Sequence, residues 1–385
     1  VSAEQVHLNQ VYGQRIRQAR QARGLGVGEL ADLMDVSRNA IRNWEVEEHR
    51  VNPELVPRLS QVLGQPDAYF YRRPEIAEAE AEMVHFRSRR LKEQDSGRLQ
   101  ARFSWLVEYL TFVNQHVKLP GLQLPSATGA ETTDEIEAAA AEVRRAWGLG
   151  PGPLLELTRT AELNGVFIQA FNLGVEKLDG FSYWHDGLQR PFIWLNLDKG
   201  KYARSRFDLA HEIGHMVLHR GIARPQTDEE AFQIFEQQAH RFASALLMPR
   251  ETWLGDIAPF GRNLTLSTFK ALKPKWRTSI AAMIYRTKEL GFIGAADSTR
   301  LWKQYSSRKW RAVEPFDDTW SIERPTLIQE ATRVMIPGGN YGTTLQQYFP
   351  LSPRHLAELS GLPKEELESI PVAQLVRRAS HSPAN

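Results

Sequence analysis

The chain has 385 residues, a formal net charge of +2 and no cysteine. At roughly 100–200 residues per domain, that length holds two to four domains. Without cysteine, disulfides, Cys-ligated zinc fingers, iron–sulfur clusters and thiol nucleophiles are excluded. The near-zero charge likewise excludes a uniformly polycationic nucleic-acid coat.

The hydrophobic fraction of 42% supports packed cores. No apolar run reaches the roughly 18–20 residues of a membrane span. The opening VSAEQVHLNQ lacks the basic-then-apolar layout of a signal peptide. The expected protein is soluble and cytoplasmic, with no membrane partner.

Residues 1–73 read as a run of short helices. GQRIRQARQARG starts at Gly13 and stops at Gly24; GELADLMDV and SRNAIRNWEVEEH follow across a tight turn. Ser37 is a good N-cap for the third helix. Asn52-Pro53 opens a fourth, which ends at Gly64. This is the helix-turn-helix pattern. Arg38, Asn39 and Arg42 lie where a recognition helix meets base edges. Against DNA stands a weak charge balance, ten Arg against nine acids in residues 1–73, with Glu45, Glu47 and Glu48 beside that surface.

From Pro74 an acidic stretch, PEIAEAEAE, reads as a linker or a solvated helix, and Phe103 to Val117 as an apolar helix. EIEAAAAEVRRAW carries acids early and arginines late, as a helix dipole favours. GVFIQAF, KLDGFSYW and RPFIWLN are the strands, short, aromatic and β-branched. The third is expected either to offer an edge to an extended peptide or to be purely structural.

SRFDLAHEIGHMVLH, the next helix, contains His211-Glu212-Ile213-Gly214-His215. Histidines four apart share one helix face, so both reach a single metal. Glu212 is placed beside a metal-activated water as a general base. The helix is otherwise apolar, and its polar residues need a chemical reason to be there. A zinc site with an open position needs a third protein ligand. Glu229, Glu230 and Glu236 on the following helix are candidates. Glu236 is favoured because it shares a face with His240, which is expected to hold a ligand histidine from outside. A straight helix cannot aim His219 at the same metal, so His219 is expected to be a helix-end or wall residue.

RFDLAHEIGHMVLH followed by EQQAHRFASALLMP resembles the ImmA/IrrE metallopeptidases. GELADLMDVSRNAIRNWE is similar to the Xre/Cro helix-turn-helix. The resemblance implies a mainly α chain with an α+β zincin (gluzincin-like) domain, a helix-turn-helix at its N-terminus and a helical C-terminal domain. It implies that His211, His215 and Glu236 hold Zn2+ and that Glu212 is the base. His240 stands where the family usually has Asn or Asp. Gly26 and Val27 replace the usual Thr or Ser and Gln of the helix-turn-helix, and Asp35 replaces a common glycine.

The expected segments are 1–73 for the helix-turn-helix, 74–130 for an acidic and helical linker, 131–258 for the metallopeptidase and 259–385 for a basic helical domain. The expected function is a zinc endopeptidase that cleaves a repressor-like partner in transcription or stress control. The alternative is a DNA- and partner-binding regulator, such as an antitoxin, whose zinc is structural. Expected partners are a repressor or toxin protein, DNA and a second copy in a homodimer.

Between Arg262 and Ala312, twelve Lys and Arg stand against two acids, interleaved with Trp and Tyr. Lys273, Lys275 and Arg277 are therefore expected to form a basic surface for nucleic acid or an acidic partner.

Overall fold

The computed structural model describes residues 10–74, 93–171, 180–196, 201–222, 229–261 and 263–368. The acidic 75–82 stretch lies outside the described residues.

Five short helices come first: α1 (Gly13–Ala22), α2 (Val27–Met34), α3 (Arg38–Glu45), α4 (Val56–Leu63) and α5 (Asp67–Phe70). The long α6 (Glu93–His116) follows, then α7 (Thr133–Ala146) and α8 (Leu157–Leu163). Three strands come next, β1 (Phe167–Phe171), β2 (Gly180–His185) and β3 (Arg190–Asn196). The remaining helices are α9 (Tyr202–Leu218), α10 (Glu229–Leu247), α11 (Arg250–Ile257), α12 (Leu266–Trp276), α13 (Ile280–Glu289), α14 (Ala295–Ser307), α15 (Leu327–Met335), α16 (Tyr341–Tyr348), α17 (Pro353–Ser360) and α18 (Lys364–Glu368). The protein is mainly helical with one small sheet. No helix among the described residues is long and apolar enough to cross a membrane.

The chain divides into two compact units, residues 1–119 with 328–385, and residues 120–327. These units run across the four segments expected from sequence. Helix α6, read within the linker, packs in the first unit with the C-terminal helices, while residues 259–327 belong to the second.

In the first unit, Ile16, Leu30, Ile41 and Leu59 meet in a closed core. Ser37 Oγ accepts the Ala40 N–H at 3.1 Å, the N-cap its position implied. Asp35 turns the chain into α3 with φ +56°, a left-handed conformation that Asp tolerates because its short polar side chain bonds locally. Arg15 of α1 is buried against α6, donating to Glu108 at 2.9 Å and to the carbonyls of Arg72 and Arg73.

The C-terminal helices close the same unit. Tyr109 and Thr332 share a hydrogen bond of 2.6 Å. His355 Nδ1 meets Gln65 Nε2 and Ser352 Oγ, both at 2.8 Å, and its ring lies 4.8 Å from that of Trp105. Burial, helped by the charges of Arg102 and Arg354, pushes the His355 imidazole down to about 3. Those two arginines pair with Glu358, which lies one turn beyond His355.

The unfolded chain therefore binds more protons than the folded one between pH 6.5 and about 3. Stability is held above pH 6.5 and lost as the pH falls through this window, at up to about 1.4 kcal/mol per pH unit. Between pH 7 and 5 the wild type should lose about 2 kcal/mol more than His355→Gln. Urea unfolding of both at the two pH values measures this, and parallel losses would remove His355 as the cause.

In the second unit the sheet order is β1-β3-β2. Strand β3 pairs parallel with β1 and antiparallel with β2, so it is the central strand. Of the two readings of β3, the edge offered to a peptide is excluded and the structural strand stands: both its ladders are occupied. Helix α9 lies between the sheet and α10, and α7 covers α10. Ile168, Ile193, Leu209, Ile213, Phe242 and Leu246 are buried in this core. The start of α9 is tied down by Arg206, which is buried, donates to the Leu155 carbonyl at 2.8 Å and pairs with Glu323.

Candidate metal centre

Gly214, inside HEIGH, sets the approach of α9 to α10. A Cβ there would lie 3.0 Å from Phe242 Cδ1 and 3.2 Å from Phe242 Cβ. A larger residue would press on Phe242, which would have to give by a few tenths of an ångström, so the glycine eases the close packing of α9 on α10. Phe242, Ala243 and Leu246 of α10 are buried on the side that packs.

At this seam three side chains converge. His211 Nε2 and His215 Nε2 are 3.1 Å apart. Glu236 puts one carboxylate oxygen 3.2 Å from His211 Nε2 and the other 3.2 Å from His215 Nε2. His215 is 1% exposed, His211 12% and Glu236 25%, so the cluster opens toward solvent on the His211–Glu236 side. Burial alone would raise the Glu236 carboxyl. Hydrogen bonds from His211 and His215 outweigh it and hold the group well below the ordinary carboxylate range.

These donors fit a metal ion. Ligands at zinc–nitrogen and zinc–oxygen distances, set at tetrahedral angles, stand about 3.3 Å from one another. The contacts among the three residues, 3.1–3.2 Å with the two Glu236 contacts made by different carboxylate oxygens, come close to that spacing. Glu212, the residue between the histidines, is buried, and its Oε2 has no hydrogen-bond partner among the described residues. A buried carboxylate oxygen is costly to leave unmatched, so this orphaned atom fits a place beside an ion and its water. The start of β2 lies beside it: a Cβ on Gly180 would be 3.7 Å from Glu212 Cγ.

Of the other two candidate ligands, Glu229 and Glu230 are exposed in the first turn of α10. His240 comes close, with a ligand atom within 4.8 Å of those of His211 and Glu236. Its Nδ1 bonds the Glu236 backbone carbonyl at 2.7 Å, and its ring stands edge-on to His211 at 4.4 Å. The hydrogen bond to a ligand-face histidine is instead made by His219, whose Nδ1 is 2.9 Å from His215 Nδ1. His219 is also the C-cap of α9. The spacing 215–219 was the available signal, since it repeats the 211–215 step along one face.

In the first unit, Arg38, Asn39 and Arg42 are exposed on α3. The neighbouring acids do not all share that face. Glu45 is buried and pairs with Arg20 at 2.5 Å. Glu47 accepts the Gly13 N–H at 3.2 Å. Glu45 is thus turned into the helix bundle, away from the exposed Arg38, Asn39 and Arg42.

The basic surface is corrected at Lys273. That ammonium is 0% exposed and donates to Glu314 at 2.7 Å and Asp317 at 2.6 Å. Lys275 pairs with Asp256 at 2.6 Å, and the Arg277 guanidinium sits 4.6 Å over the Trp320 ring. The cations are largely matched within the unit.

Residues 161–288 match the family model for the IrrE N-terminal-like domain of peptidases, and residues 16–70 match a helix-turn-helix model. The chain thus joins a metallopeptidase-like domain to a DNA-binding-type domain, the arrangement of a regulator. The two matches are those of an ImmA/IrrE-type peptidase domain following an Xre-type helix-turn-helix. Among curated proteins, no match was found.

Proposed function

We propose that this protein is a zinc-dependent endopeptidase that cuts a repressor-like partner and so acts in transcription or stress control. The observation that supports it best is the His211–His215–Glu236 triangle, with the unsatisfied Glu212 carboxylate on the same helix. His211, His215 and Glu236 would hold the ion in a gluzincin-like set. Zinc bound there would supply Lewis acidity toward water and the scissile carbonyl. Glu212 takes the proton of the attacking water on its carboxylate and returns it to the leaving amine. His240 stands at the solvent side of the ligands, where it lines the approach of a peptide.

The test is co-expression with products of neighbouring genes, followed by intact mass spectrometry of captured partners. A fragment made by wild type and absent with Glu212→Gln supports the peptidase and names its substrate. The same intact partner held by both would replace this reading with the binding regulator or antitoxin, its zinc structural.

Arg38, Asn39 and Arg42 are the residues proposed to read DNA. Asn39→Ala should cost about 1–3 kcal/mol toward the preferred site, while scarcely changing affinity for unrelated DNA. Titration of both duplexes at one salt concentration measures the difference. An equal loss on both would assign Asn39 to phosphate contact alone.

A further inference from the structure

His215 is one end of a buried chain of hydrogen bonds that runs away from the ligand triangle. His215 Nδ1 meets His219 Nδ1 at 2.9 Å, and His219 Nε2 meets Gln238 Oε1 at 2.8 Å. His215, His219 and Gln238 are all buried, at 1%, 7% and 8% exposure. Phe235 stacks flat on the His219 ring, with centroids 4.3 Å apart and planes 6° from parallel. That stack fixes the ring's orientation from the side. Helix α10 thus supplies both the stacking ring and the terminal acceptor, while α9 supplies the two imidazoles.

The direction of the protons follows from the far end. An amide oxygen only accepts, so His219 Nε2 carries the proton and donates to Gln238. A neutral imidazole has one N–H, so His219 Nδ1 is the acceptor. His215 Nδ1 must then be the donor. His215 Nε2 is the atom that faces His211 Nε2 and Glu236; without an ion it hydrogen-bonds Glu236, and a bound ion would take the place of that proton.

We propose that His219 and Gln238 are positioning residues that lock His215 in its Nδ1–H tautomer and present Nε2 as a ready ligand. The inference rests on the metal-centre reading and extends it to two residues outside the ligand set. A ligand histidine that spends its other nitrogen on a fixed acceptor is oriented and made more basic, and losing such a partner costs 10–100-fold in metal affinity in comparable sites, on the order of one to two decades.

The experiment titrates Zn2+ into the full chain in competition with a chromophoric chelator, with circular dichroism on every variant. His219→Phe keeps a ring to stack on Phe235 but removes both hydrogen bonds. It should weaken Zn2+ binding by about 10–100-fold. His219→Gln both accepts and donates, and should recover most of that loss. Gln238→Leu should weaken binding in the same direction as His219→Phe. In the Zn2+-bound wild type, long-range nitrogen–proton NMR spectra should show His215 protonated at Nδ1. Wild type that binds no Zn2+ would sink the metal-centre reading itself. Wild type that binds Zn2+, with His219→Phe equal to it, would sink the relay alone. So would equal losses in the Phe and Gln variants, or a Zn2+-bound His215 with no proton on Nδ1.

Discussion

Glu212→Gln should leave zinc bound and slow cleavage of the partner by about 10²–10⁴-fold. Glutamine has the same shape as glutamate and fits the same buried place, but it takes up no proton from water. The donors at the ion are His211, His215 and Glu236, and none of them touches the substituted atom in the contacts above. His215→Ala is the contrasting case. It removes one corner of the triangle and the buried end of the His219 chain, so the ion itself should be lost. Metal content by mass spectrometry, run beside the cleavage assay, separates the two. Zinc lost from Glu212→Gln would make that residue part of the ligand set. Full cleavage by Glu212→Gln would pass the proton to another group, and the exposed His240 beside His211 is the candidate.

What the sequence showed of this site depended on how local each relationship was. His211 and His215 are one turn apart on one helix, so their convergence follows from helix geometry alone. Glu236 sits on a different helix, and only the face it shares with His240 favoured it over Glu229 or Glu230. The resemblance implied the same residue, and Gly214 against Phe242 marks the close packing of α9 on α10 there. The argument that three residues over two turns cannot share one metal kept His219 out of the ligand set. It did not reveal that His219 would bond the ring behind His215, because that requires Phe235 and Gln238 from α10.

Longer-range relationships were less legible. Strand order is a property of the sheet, and β1 pairs with β3 across the intervening β2. An edge role for RPFIWLN could not be tested by its own residues. Charge sums failed for a related reason. Counting signs from Arg262 to Ala312 stopped two residues short of Glu314, which neutralises Lys273. The count over residues 1–73 held both Arg20 and Glu45, but a sum does not say that the two pair inside the bundle and leave the surface. The pairing of Gln65 with His355 joins residues far apart in the sequence, and no local pattern announces it.

Glu314→Ala should cost about 3–5 kcal/mol, the range for removing one partner of a buried ion pair. Glu314 is 6% exposed, and its two oxygens serve four donors. Oε2 accepts from Lys273 Nζ and from the Ile280 N–H, both at 2.7 Å. Oε1 accepts from the Ala281 N–H at 3.0 Å and the Tyr305 hydroxyl at 2.8 Å. The carboxylate therefore caps the positive end of α13 and neutralises a lysine on α12 at the same time. Alanine leaves the fully buried ammonium with Asp317 alone and strands two helix-end amides. Lys273→Met should cost less, because the amides and the Tyr305 hydroxyl keep their acceptor and methionine fills similar space. Local opening would be read by hydrogen exchange of peptides spanning α12 and α13. The order of the two variants decides the matter. If Lys273→Met loosened these helices as much as Glu314→Ala, the stability of the hub would lie in the lysine's packing and not in the carboxylate that four donors share.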